Sequence, residues 1–98
     1  MNDFNEIIKS SKPTLVDFYA SWCGPCKMQS PIIEQLKVKI GDEAKILKVD
    51  VDKNQALAMQ YRVMSIPTLM IFKGGEIVWR ESGLQQLDFL EAKIKQYV

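Results

Sequence analysis

Short apolar runs alternate along this chain with stretches of helical spacing, and the alternation predicts the order of its elements. Asp3 to Lys9 reads as a short helix with Phe4, Ile7 and Ile8 on one side and Asn2 as its cap. Ser10-Ser11-Lys12-Pro13 breaks it. Thr14 to Tyr19 is a strand by its β-branched and aromatic content, and its nearly unbroken apolar character suits a central strand covered on both faces. From Cys23 the period turns helical. Gln29, Ile33, Leu36 and Ile40 recur on one face, with Lys37 and Lys39 on the wet side. Pro31 falls inside this helix, where its ring meets the Lys27 carbonyl and predicts a kink. Gly41-Asp42 ends it.

Ala44 to Asp50 forms a second strand on Ile46, Leu47 and Val49, and Asn54 caps a short helix from Gln55 to Tyr61. Pro67 opens the apolar run Thr68 to Phe72. Lys73-Gly74-Gly75 then turns the chain into Glu76 to Glu81 as a hairpin. Ser82-x-x-Gln85 has the form of a capping box for a last helix that buries Leu87, Leu90, Ile94 and Tyr97 or Val98. The order is α-β-α-β-α-β-β-α. A parallel crossover followed by a closing hairpin makes a mixed sheet with helices on both faces, in one α/β domain over residues 1–98.

Composition narrows the function chiefly by exclusion. At 98 residues there is room for one core. A net charge of +1, with Lys and Arg spread along the chain, suggests neither a nucleic-acid nor an anionic-membrane surface. No apolar run approaches the roughly 18 residues of a membrane span. The acidic, polar start Met1-Asn2-Asp3-Phe4-Asn5-Glu6 lacks the basic and apolar regions of a secretory signal, so a cytoplasmic location is expected.

The two cysteines change the picture most. A structural disulfide between Cys23 and Cys26 closes so short a loop that it hardly restricts the unfolded chain. Structural zinc needs a full tetrahedral set of Cys or His ligands, and this sequence has two Cys and no His. Only a metal shared between chains survives that count. In a cytosolic protein, Cys-x-x-Cys otherwise means redox exchange.

Cys23 falls at the start of a helix, where unpaired backbone N–H groups and the positive end of the dipole favour a thiolate. The dipole alone contributes about 0.3–1 kcal/mol, so direct N–H···S bonds must supply most of the stabilisation. Cys26 lies one turn further in, able to reach the first sulfur but deeper and protonated. Cys23 then attacks a substrate disulfide and Cys26 resolves the mixed disulfide. Gly24 leaves the attacking sulfur approachable. Pro25 stiffens the turn at no cost in hydrogen bonding.

The segment from Val16 through Trp22-Cys23-Gly24-Pro25-Cys26 to Lys27 closely resembles the active-site segment of the thioredoxin family. So do Ile66-Pro67-Thr68-Leu69 and the Phe72 to Glu76 hairpin, at matching separations. The resemblance covers nearly the whole chain from Pro13 onward and implies the thioredoxin fold. It also implies roles that spacing does not reveal. Asp17 matches a buried carboxylate that exchanges a proton with Cys26, where a strand carboxylate would otherwise simply face solvent. Lys48 matches the lysine paired with that carboxylate, although a strand lysine is commonly just solvated. Pro67 matches a cis proline facing the disulfide, against a general X–Pro cis frequency of about 5–6%. That would leave the Ile66 backbone to pair with a substrate strand. Trp22, Ser65, Ile66, Ser82 and Gly83 match the shallow substrate-binding surface around the sulfur.

The resemblance implies a disulfide reductase acting on protein substrates as a monomer. It binds no cofactor, and its electrons come from NADPH through a flavin-containing thioredoxin reductase. This chain has no Gly-rich nucleotide fingerprint of its own. Tyr19 departs from the pattern, since the family usually has a second tryptophan there, and the start looks too short for the usual first strand. One sheet edge is therefore expected to be less covered. Two other readings compete: an oxidase or isomerase of the periplasm or secretory pathway, and a non-catalytic binding module on the same fold. Gly24-Pro25 between the cysteines argues against the first. The joint presence of both cysteines, Asp17 and Pro67 argues against the second.

Overall fold

In the computed structural model, which describes residues 3–98, every element expected from the pattern is present. They are α1 (Phe4–Ile7), β1 (Thr14–Tyr19), α2 (Gly24–Ile40), a 3-10 turn (Gly41–Glu43), β2 (Lys45–Asp50), α3 (Gln55–Gln60), β3 (Thr68–Lys73), β4 (Glu76–Ser82) and α4 (Leu87–Lys95). Helix α1 is shorter than the expected Asp3 to Lys9, and the expected Asn2 cap lies outside the described residues. Helix α2 continues through Pro31 and stops at Gly41, whose φ of 56° belongs to the left-handed region.

The sheet has the order β2-β1-β3-β4. β1 pairs parallel with β2 and antiparallel with β3, and β3 pairs antiparallel with β4. The two central strands carry the apolar runs and are buried along nearly their whole length, as strands covered on both faces must be. Among the described residues no strand lies beyond β2, so the edge expected to be less covered is the outer side of Lys45–Asp50.

Alternation along β1 divides the core. Leu15 packs with Leu69 and Ile71 of β3, with Ile33, Leu36 and Ile40 of α2, and with Leu90 and Ile94 of α4. Val16 and Phe18 face the other way, against Phe4, Ile8, Val49, Met70 and Phe72, with Leu57 of α3 and Tyr61 at its end alongside. Helices α2 and α4 therefore cover one face, and α1 and α3 the other. The hairpin turn is tied back to the segment just after α1, since Gly74 N–H donates to the Ser10 carbonyl (3.1 Å) and Gly75 N–H to that of Ile8 (2.8 Å).

The expected capping box does not form. Ser82 is the last residue of β4, and its hydroxyl lies 3.0 Å from Thr68 Oγ1. Helix α4 begins at Leu87 with Gln86 at its cap position. A Ser-x-x-Gln spacing can be met by a strand end as well as by a helix start, and the β3–β4 ladder claims this serine first. Leu90 and Ile94 are buried as expected and Leu87 and Tyr97 partly so, whereas Val98 is exposed.

Candidate active site

The two sulfurs sit where β1 hands over to α2. Cys23 is the cap residue of α2, one position before its first turn, in an extended conformation (φ −85°, ψ 118°). Its Sγ accepts the Cys26 N–H at 3.2 Å, the direct N–H···S bond that a reactive sulfur at a helix start requires. Pro25 occupies the first turn, where its missing N–H leaves no hydrogen bond unmade. Cys23 and Cys26 are joined as a disulfide with a Cα–Cα separation of 5.2 Å. The expected contrast in depth is small, since Cys23 is 5% exposed and Cys26 3%. What distinguishes them is their surroundings. Cys23 lies at the rim, its Sγ 3.7 Å from the Ile66 carbonyl oxygen. Cys26 borders a cleft of about 130 Å³ with Tyr19, Ala20, Ser21, Lys27, Ser30 and Lys48.

The Ile66–Pro67 peptide bond is cis, and the loop containing it is held from several sides. Thr68 Oγ1 donates to the Ser65 carbonyl at 2.6 Å, and Gly83 N–H donates to that of Pro67 at 2.8 Å. Gly83 needs its lack of a side chain here, because its φ of 92° is one that other residues rarely adopt. Trp22, Gly24, Pro25, Ser65 and Gly83 are exposed around the sulfurs, and Ile66 is half-buried. Ser82 lies beside this group, its hydroxyl turned to Thr68.

Asp17 lies at the centre of β1 and is fully buried. Alternation puts it on the same sheet face as Leu15, the face covered by α2. Neither carboxylate oxygen has a hydrogen-bond partner among the described residues. Burial pushes its pKa up from the ordinary 3.8 to about 6, while the positive charge of Lys48 pulls the other way. Lys48 is its register partner on β2, yet the two form no ion pair among the described residues. The Lys48 ammonium instead donates to Ser30 Oγ at 2.7 Å and sits 4.9 Å from the centroid of the Tyr19 ring.

Three positions at the site escape sequence reasoning. Asp52 accepts the Trp22 indole N–H at 2.8 Å, across 30 positions of sequence. Ser30 receives Lys48. Gln29 is fully buried and pairs with the Gln85 backbone through both ends of its amide, at 2.7 and 3.0 Å. That pair ties α2 to the loop after Gly83. Only Gln29 leaves a mark in the sequence, as a polar residue on an otherwise apolar helical stripe.

A protein-family model described as thioredoxin matches residues 1–96. The chain belongs to the thioredoxin family. It is 46% identical over 84 residues to thioredoxin of Bacillus subtilis, covering 86% of this chain and 81% of that protein. With thioredoxin of Rickettsia typhi the identity is 45% over 94 residues, covering 92% and 90% of the two chains. Among solved structures, a thioredoxin variant from Halobacterium salinarum superposes with a TM-score of 0.87 at 40% identity, over 99% of this chain and 84% of the other. Malassezia sympodialis thioredoxin gives 0.88 at 33%, over 98% and 84%. As a thioredoxin, this protein is a thiol–disulfide oxidoreductase that acts on protein disulfides. Its redox group is the Cys23–Cys26 pair, and exchange at that pair requires no bound cofactor.

Proposed function

We propose that this thioredoxin works as a reductant of protein disulfides in the cytoplasm, with Cys23 as the attacking sulfur and Cys26 as the resolving one. The observation that carries this assignment is the Cys26 N–H···Sγ bond to Cys23, which leaves Cys23 as the better anion and leaving group. In the first step the Cys23 thiolate attacks one sulfur of the substrate disulfide. A Cys23–substrate mixed disulfide forms and the second substrate sulfur leaves as a thiolate. Cys26 then gives its proton to the Asp17 carboxylate and attacks Cys23 Sγ. The Cys23–Cys26 disulfide forms and the remaining substrate sulfur leaves. Two electrons have passed to the substrate, and the protein is left in the oxidised form that the structure describes.

Substrate docks on Trp22, Gly24, Pro25, Ser65, Ile66, Pro67 and Gly83, its extended backbone pairing with that of Ile66. Because this surface is small and built partly from main chain, it accepts many proteins. Return to the dithiol needs an external two-electron donor, supplied by NADPH through a flavin-containing thioredoxin reductase. The protein acts as a monomer.

Cys26→Ser tests the order of attack. The variant retains Cys23 and has no thiol to resolve the mixed disulfide, so it should accumulate covalent 1:1 adducts with disulfide proteins that dithiothreitol releases. Cys23→Ser should form almost none. Equal trapping by the two variants, or adducts only with Cys23→Ser, would reverse or abolish the assigned roles.

A further inference from the structure

The position of the Lys48 ammonium is the feature that the exchange chemistry leaves unexplained. Lys48 and Asp17 are register partners on adjacent parallel strands, and both point to the face covered by α2. A lysine so placed would ordinarily close on the carboxylate, because a buried carboxylate without hydrogen bonds is costly. Here the ammonium is held elsewhere, by Ser30 Oγ at 2.7 Å and the face of the Tyr19 ring at 4.9 Å. Neither Asp17 oxygen receives a hydrogen bond among the described residues. Ser30 sits one turn after Cys26 on α2, so Cys26, Ser30, Tyr19 and Lys48 line one cleft.

We propose that Ser30, together with the Tyr19 ring, is a positioning element that holds the Lys48 ammonium away from Asp17 and so sets the pH at which Asp17 exchanges a proton with Cys26. This proposal rests on the proton-transfer role given to Asp17 above. An opposite charge brought within about 4–6 Å of a carboxylate lowers its pKa by about 1–3. Contact with Lys48 would therefore leave Asp17 ionised throughout the neutral range and a poor partner for a thiol proton. With the ammonium bonded to Ser30 and forming no ion pair with Asp17, its charge still pulls the Asp17 pKa down, but burial prevails. The other groups facing this carboxyl do not alter the direction. β2 contributes the Lys48 cation and, two positions on, Asp50, the register partner of Tyr19, whose carboxylate accepts the Asp52 and Lys53 backbone N–H groups. Helix α2 contributes Cys26 and, at the cleft, Lys27, which is exposed to solvent and screened. β1 itself adds the Tyr19 phenol, and β3 contributes Leu69, which carries no charge.

The direct test is the pH titration of the Asp17 side-chain carbon by NMR in the oxidised full-length protein, where no thiol titrates. Ser30→Ala frees the ammonium to approach Asp17, and its midpoint should fall by about one pH unit relative to the unsubstituted protein. Ser30→Thr keeps the hydroxyl and should restore the original midpoint. Lys48→Met removes the charge and should raise it. A merely structural role for Ser30 would change unfolding without moving these midpoints in opposite directions. A Ser30→Ala midpoint that is unchanged or higher would overturn the proposal. The pH profile of mixed-disulfide resolution separates this failure from failure of the proton-transfer role. If the midpoints move as stated while resolution in the unsubstituted protein is flat with pH, the positioning of Lys48 stands and the catalytic role of Asp17 falls.

Discussion

In the mechanism proposed above, Asp17 serves chemistry at the expense of stability. Its carboxyl is buried without hydrogen bonds among the described residues, and burial raises its pKa to about 6. Because the folded value lies above the ordinary 3.8, the native state binds the proton more tightly than the unfolded chain does. The associated stability is fully present below pH 3.8 and is lost as pH rises through about 6. Ionised Asp17 thus costs on the order of 1–3 kcal/mol at pH 7. Asp17→Asn, which mimics the protonated form, should be more stable than the unsubstituted protein by about that amount at pH 7.5. The gain should shrink towards zero near pH 4 in urea unfolding. The same substitution should slow mixed-disulfide resolution at neutral pH, because in the proposed mechanism Cys26 loses its proton acceptor. A rate unchanged across pH 6–9 would remove Asp17 from the mechanism. Burial of this residue was legible through the family resemblance and through the nearly unbroken apolar character of Thr14 to Tyr19. The position of the Lys48 ammonium was not, because a long flexible side chain chooses among partners that only the folded chain brings together, and Ser30 lies 18 positions away.

Among the elements, continuous apolar strands and the long amphipathic helix were the most legible. The apolar run Thr14 to Tyr19 coincides with β1, and β3 extends one residue past its run, to Lys73. Both strands are buried on two faces, so their apolar runs stop where the strands do. Short elements are less legible. Helix α1 forms a single turn where the pattern suggested more, since apolar spacing over so few residues scarcely limits its ends. Ser82-x-x-Gln85 has the spacing of a capping box, but spacing alone does not carry the competing β3–β4 ladder that engages Ser82. Gln29 is the clearest polar connection between elements. Its buried amide satisfies both the N–H and the carbonyl of Gln85, holding the loop after Gly83 against the active-site helix. Gln29→Leu keeps the volume but leaves those two backbone groups unpaired, and should cost about 1–3 kcal/mol in chemical denaturation. A loss within experimental error would mean that water replaces the amide without penalty.

At the scale of the whole molecule, the sheet brings together groups that are far apart in sequence. The end of β1 delivers the cysteines, and the approach to β3 delivers Ile66 and Pro67. The end of β4 delivers Ser82 and Gly83, and the loop after β2 delivers Asp52 to the Trp22 indole N–H. Family membership was legible because the Trp-Cys-Gly-Pro-Cys segment, Ile66-Pro67 and the Gly74-Gly75 hairpin recur at set separations. The hydrogen bonds that align these loops join distant residues of unremarkable type and surface only in three dimensions. The central claim is that this assembly makes the Cys23–Cys26 pair a reductant. It is tested most directly by the reduction potential of that pair, measured at equilibrium in defined dithiothreitol buffers through Trp22 emission. A reductant of the thioredoxin type should lie near about −270 mV. A value between about −180 and −120 mV, the range of isomerases and oxidases, would contradict the account.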